Sequence, residues 1–294
     1  MKPVRLLAFA AFACLVPQVA RSEPAATPAA ATEVRLPHIS IREIGRGDPV
    51  VLIPGLATPR AVWDGVVPDL ARNHRVILVQ VNGFGGDPAG ANAEPGILAG
   101  AVADLAGWLA ANRIGHPAVV GHSMGGLMGM MLARDHPDAV GKLLIVDALP
   151  FFGVIMGPNA TVETVSATAA SLRDSIRNGP PAAAAPPNMS NSEAGNRQVL
   201  EWLRASDRNV AAEALYEDLG TDLRGDVAAI GDRPITVAYA VPSAASAEMI
   251  HTLYRQAYAA DPDARLVPVE SSAHFIMLDQ PQRFAAILAE FLGR

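Results

Sequence analysis

A serine hydroxyl is a weak nucleophile until its surroundings activate it, so the residues around each serine decide whether it can do chemistry. Ser123 stands in Gly121-His122-Ser123-Met124-Gly125, preceded by the apolar Ala118-Val119-Val120 and followed by Leu127 to Arg134 (LMGMMLAR), which has helical composition. Strand, tight turn and helix is the context in which G-x-S-x-G lifts a hydroxyl above a sheet edge. The residue at the tip of such a turn is held in a strained backbone, and its neighbours must be small for strand and helix to pass closely. Gly121, Gly125 and Gly126 supply that clearance. The Met124 N–H then opens a helix, where developing negative charge is stabilised. The chemistry implied is attack by Ser123 Oγ on a carbonyl carbon. A glycine-rich turn with an incidental serine is the plainer reading, and the flanks on both sides argue against it.

Such a serine needs a sheet beneath it. Val34 to Glu43 alternates loosely, as a strand pair does, and Pro49 to Ile53 is an apolar run of buried-strand length ended by Pro54-Gly55. Arg60 to Arg72 suits a helix, Arg75 to Val81 another buried strand, and Gly96 to about Ile114 a long amphipathic helix. Further strands are expected at Lys142 to Val146, Pro234 to Ala240 and Arg265 to Val269, with a closing helix over Ala285 to Leu292. Apolar strands alternating with glycine loops and helices mean an α/β fold, a mostly parallel sheet covered on both faces.

Nearly ninety residues separate the Lys142 and Pro234 strands, too many for a simple crossover. Helices are expected over Val162 to Arg177, Glu193 to Ala205 and Asn209 to Leu219, with a Pro/Ala-rich breaker from Gly179 to Pro187. Residues 150–226 therefore read as a helical cap inserted into a core of residues 34–149 and 227–294. An apolar cover that closes over Ser123 excludes water from the reacting centre.

The 294 residues are half hydrophobic and only 18% charged, enough for one large domain with a sizeable core. A net charge of −6 and the absence of any basic run argue against nucleic acid as a partner. Lys2 and Arg5 precede the apolar Leu6 to Val16, with Ala20-Arg21-Ser22 behind, which is the pattern of a secretory signal peptide ending near residue 22. The run is too short to span a bilayer comfortably. Residues 23–33 then form a flexible leader, and the protein is expected to be exported, periplasmic or secreted. Cys14, the one cysteine, lies inside the segment to be removed, so the mature chain has no thiol. A lipid anchor through Cys14 is the alternative, although Ala11-Phe12-Ala13 matches a lipobox poorly.

With these motifs in place the chain resembles the α/β-hydrolase superfamily, of the capped esterase/lipase-like kind, from about Val34 to the C-terminus. The resemblance rests on the elbow at Ser123, on Pro54-Gly55-Leu56 and on Ser272-Ala273-His274-Phe275. It implies a Ser-His-acid triad. His274, in a loop after the last strand, would act as general base and then acid. It also implies an oxyanion hole from the backbone amides of Met124 and Leu56.

The acid departs from the usual pattern. No carboxylate directly follows the Pro234 to Ala240 strand; the first is Glu248, on an expected helix. Asp147 ends the strand next beyond the serine, where some members of the superfamily carry their acid. Asp147 is the first choice and Glu248 the alternative. His122 is expected to point away from the nucleophile, and the remaining histidines to lie on strand edges, turns or helix surfaces.

The apolar Ala148 to Met156 suggests a hydrophobic pocket built from Phe151, Phe152 and Phe275, or simply residues that pack the cap down. No phosphate loop and no metal-ligand spacing is present, so the implied chemistry needs neither cofactor nor metal. The expected partner is a small, apolar ester. The alternatives are other acyl chemistry on the same triad (lactone, thioester or amide cleavage, perhydrolysis) or a ligand-binding protein that has lost turnover.

Overall fold

The computed structural model describes residues 32–157 and 159–293. The expected signal segment, Cys14 and most of the leader lie outside the described residues. The sheet begins slightly earlier than expected, with β1 (Thr32–Arg35), followed by β2 (Ile39–Gly45) and β3 (Asp48–Ile53). The segment expected as one helix from Arg60 is a 3-10 turn, Arg60–Trp63, and then a single helical turn, α1 (Val67–Leu70). Gly65 lies between the two, and Pro68 falls in the first turn of α1, where a helix accepts proline.

Next come β4 (His74–Val81), α2 (Ile97–Ala111), β5 (Ala118–His122), α3 (Met124–Asp135) and β6 (Lys142–Val146). The long insertion supplies α4 (Val162–Asn178), α5 (Glu193–Ala205) and α6 (Arg208–Gly220). Thr161, Ser192 and Asp207 cap their first turns by accepting backbone N–H groups. The chain closes with α7 (Val227–Ile230), β7 (Ile235–Val241), α8 (Ala247–Ala257), β8 (Arg265–Glu270), α9 (Ile276–Asp279) and α10 (Pro281–Leu292).

The eight strands lie in the order β1-β2-β4-β3-β5-β6-β7-β8. The β1–β2 and β2–β4 pairs are antiparallel and every later pair is parallel. Side chains alternate between two apolar layers. Val51, Ile53, Val119 and Ile145 pack with α2 and α3, whereas Val50, Leu52, Val120 and Leu144 pack with Trp63 and α10. β5 is buried along its whole length because the strand is central and covered on both sides. Its carboxyl end is the fixed point from which the elbow projects. Among the described residues no helix is long and apolar enough to cross a membrane.

Candidate active site

Ser123 has φ 54° and ψ −127°, a conformation that side chains other than glycine avoid. The surrounding sequence holds it there. A Cβ on Gly121 would strike the Gly125 carbonyl, and one on Gly125 would strike the Ile53 carbonyl. The chain therefore turns from β5 into α3 only with glycine at both positions. The Ser123 N–H donates to Val146 O at 2.9 Å, which ties the elbow to β6.

Asp147 follows β6 immediately, with φ 49°. Its N–H donates to Ala238 O at 2.7 Å, and its Oδ1 accepts the Ala240 N–H at 2.9 Å, so the residue leans over the end of β7. Oδ1 also accepts the Tyr254 hydroxyl at 2.9 Å. The other oxygen, Oδ2, lies 2.7 Å from His274 Nδ1. Burial pushes the Asp147 carboxyl up, but the His274 hydrogen bond and charge, with Ala240 N–H and Tyr254, outweigh it. The net direction is below the ordinary aspartate value, and the group is held as a carboxylate.

His274 sits in the loop between β8 and α9. The loop is fixed by main-chain bonds from His274 N–H to Asn188 O (3.0 Å) and from Phe275 N–H to Met189 O (2.9 Å). Asp279 reinforces it by accepting Ala273 N–H, Asn191 N–H and the Ser190 hydroxyl. His122 behaves differently from the expectation. It does not merely point away: it is fully buried, and its ring lies 4.6 Å, centroid to centroid, from that of His274. Its Nε2 donates to the His274 carbonyl at 3.0 Å. Burial first, and then the neighbouring His274, lower its pKa to about 3, so it stays neutral and supports the loop.

The Leu56 and Met124 N–H groups have no hydrogen-bond partner among the described residues. The Leu56 loop is shaped by Thr58, whose N–H reaches Gly55 O at 3.3 Å and whose hydroxyl reaches Leu56 O at 2.9 Å. Two cavities meet at the serine. One, of about 380 Å³, includes Met124, Leu149, Ile250 and Leu253; the other, of about 240 Å³, includes Leu56, Trp202 and Phe275. Both share Ser123, His274, Phe152, Met189 and Asp218.

The structure thus brings together Ser123, His274, Asp147, Leu56, Met124, Phe152 and Phe275. It does not bring Glu248, whose side chain is 83% exposed at the start of α8 and paired with Arg255. Nor does Phe151 line either cavity. It is fully buried against Ala160 and Val165, with the Arg224 guanidinium over its ring, because the chain direction at the 3-10 turn Phe152–Met156 turns it toward α4. Tyr254, Asp279 and Asp218 were missed in the sequence. No motif marks them: Tyr254 and Asp279 act through contacts made by distant elements, and Asp218 reaches the cavities only because α6 packs over them.

The α/β hydrolase fold family matches residues 48–208, more than half of the chain. The chain belongs to the α/β-hydrolase fold family. It is 28% identical over 265 residues to the pimeloyl-(acyl-carrier protein) methyl ester esterase of Aeromonas hydrophila, covering 87% of this chain and 99% of that one. Over 113 residues it is 34% identical to 2-hydroxy-6-oxo-2,4-heptadienoate hydrolase of Pseudomonas putida, 37% of this chain and 41% of the relative. Among solved structures, a thermophilic esterase from Thermogutta terrifontis superposes with a TM-score of 0.68 at 22% identity, covering 89% of this chain and 98% of that one. At that identity the likeness bears on the fold. The α/β-hydrolase sheet and its elbow account for the position of Ser123, and the contacts with Ala238, Ala240 and Tyr254 for that of Asp147.

Proposed function

We propose that the chain is an exported serine hydrolase that cleaves carboxylic esters through an acyl-enzyme. The observation that carries this reading is the short His274–Asp147 hydrogen bond beside a strained serine, in a cavity flanked by two unpaired amides. Ser123 Oγ attacks the ester carbonyl carbon while His274 Nε2 takes its proton. The carbonyl oxygen becomes an oxyanion received by Leu56 and Met124 N–H. Collapse breaks the bond to the alcohol oxygen, which leaves with the proton from His274. Water, deprotonated by the same nitrogen, then frees the acid and Ser123. Asp147 keeps the His274 Nδ1 proton in place and stabilises the imidazolium.

The apolar walls of both cavities support an ester with hydrocarbon on each side of the scissile bond. The similarity to a methyl ester esterase supports ester over amide. Against a protein without turnover stands Asp147, whose bond to the Ala240 N–H of β7 and to His274 supports a carboxylate at the imidazole although none follows β7 itself. Residues 150–226 serve as the cap over this site.

Hydrolysis of a p-nitrophenyl ester series by the protein and by Ser123→Ala tests the reading, with fluorophosphonate labelling alongside. Turnover and labelling that both vanish in Ser123→Ala are expected; an unlabelled wild type inert on every ester would refute it. Export is tested by N-terminal sequencing of protein from a periplasmic fraction. A start near Glu23 is expected, and an acylated Cys14 at the N-terminus would replace secretion by anchoring.

A further inference from the structure

Asp218, on α6, plays no part in the proposed chemistry, yet it lines both cavities where they meet at Ser123 and His274. The residue is only 5% exposed, and among the described residues burial and the charge of His274 act on its carboxyl, with no hydrogen bond to it. A buried polar group without a partner costs free energy, and one that faces a cavity is positioned to find its partner in the ligand. Of the residues that share the junction, Phe152 and Met189 offer no hydrogen bond, which leaves Asp218 beside Ser123 and His274 as its polar groups.

We propose that Asp218 is a specificity-determining residue that hydrogen-bonds a hydroxyl carried by the substrate close to the scissile ester. The proposal rests on the ester-hydrolase reading and narrows it from apolar esters to esters bearing one additional hydroxyl near the reacting carbonyl. Burial pushes the Asp218 carboxyl up to about 7, opposed by His274. In slightly acidic solution it is accordingly a neutral acid, able both to donate to a hydroxyl and to accept from one. A site built to hydrogen-bond a substrate group discriminates strongly against an analogue that lacks it, because the site's own group is then left unpaired. The extra hydroxyl could lie on the acyl or on the alcohol side, and the two sides are separable by experiment.

Initial rates on ethyl butyrate, ethyl 3-hydroxybutyrate and 2-hydroxyethyl butyrate are measured by pH-stat at pH 6 for wild type, Asp218→Asn and Asp218→Leu. Wild type is expected to prefer one oxygenated ester over ethyl butyrate by about tenfold in kcat/KM, the size of one hydrogen bond to a buried group. Which one it prefers assigns the side. That ratio should fall to about one in Asp218→Leu, and stay within about threefold of wild type in Asp218→Asn, which still donates and accepts. Equal rates on all three esters in wild type, or the same ratio in Asp218→Leu as in wild type, overturns the proposal. Failure of wild type to hydrolyse any of them overturns it too. Fluorophosphonate labelling of Ser123 then decides whether the hydrolase reading falls with it.

Discussion

Replacing Asp147 by Asn changes one oxygen to an amide nitrogen, and the contacts around it dictate which one. Oδ1 accepts two donors, the Ala240 N–H and the Tyr254 hydroxyl, both at 2.9 Å. The amide oxygen must occupy that position, so the NH2 group is forced toward His274 Nδ1. An N–H there requires Nδ1 as acceptor, which leaves the proton on Nε2 and removes the base that Ser123 needs. The charge is lost as well. A carboxylate and an imidazolium with centres about 4 Å apart attract by about 4 kcal/mol at an effective dielectric of 20. Losing that stabilisation in the transition state lowers kcat by about 10³, and the wrong tautomer adds to it, for about 10³ to 10⁴ in all. KM should change little, because Asp147 does not hold the substrate. The assay is kcat and KM on p-nitrophenyl butyrate, together with the rate of fluorophosphonate labelling, with Glu248→Gln in parallel. More than a tenth of wild-type kcat in Asp147→Asn, or a collapse in Glu248→Gln, would refute this account of the acid.

Three further outcomes are expected. Asp218 is raised to about 7 in the fold, so between the unfolded value of 3.8 and about 7 the native protein binds more protons than the unfolded chain. Its contribution to stability is therefore present at low pH and lost as pH rises. The gain in stability of Asp218→Asn over wild type, from urea midpoints, should grow from pH 4 to 7 by at most about 4 kcal/mol and then level off. A gain that does not vary with pH would show the carboxyl to be ionised throughout. Phe284 is fully buried and stacked on Trp63 at 5.9 Å, so Phe284→Ala should cost about 3–5 kcal/mol in urea denaturation; a loss under 1 kcal/mol would mean that the α10 layer repacks. Asp279→Ala removes the acceptor for three donors that hold the His274 loop, and kcat should drop about tenfold or more while KM stays near wild type. An unchanged kcat would show that the bonds to Asn188 and Met189 suffice.

Much of the sheet was legible in the sequence because its strands are continuous apolar runs of strand length bounded by glycine and proline, as parallel strands buried on both faces are. The elbow was legible for a related reason: the close passage of β5 and α3 excludes every residue but glycine at positions 121 and 125, so the constraint is written in composition. Polar contacts between distant segments leave no such trace. Glu248 entered as an alternative because it is the first carboxylate after β7, but α8 turns it into solvent. Phe151 and Phe152 are adjacent and chemically identical, and only the 3-10 turn decides that one packs on Val165 of α4 and the other lines the cavity.

The position of Asp147 follows from the pairing of three adjacent parallel strands. His122 at the end of β5 is level with Val146 of β6, and Val146 with Ala238 of β7. One residue past β6 the chain is still bonded to β7 through Asp147 N–H, and its side chain continues that pairing by accepting Ala240 N–H. A carboxylate leaving β6 therefore arrives over the end of β7, where His274 meets it from the loop after β8. The same spot needs no acid of its own on β7, which leaves Val241 to Ala247 free of carboxylates without cost to the site. The requirement that survives is a fixed carboxylate at His274 Nδ1, and Tyr254 on α8 helps meet it by donating its hydroxyl to Oδ1. Tyr254→Phe should accordingly keep the charge but loosen its aim, lowering kcat by about tenfold, far less than Asp147→Asn. A loss as large as that of Asp147→Asn would mean that the hydroxyl, and not the main chain of β7, is what holds the acid in place.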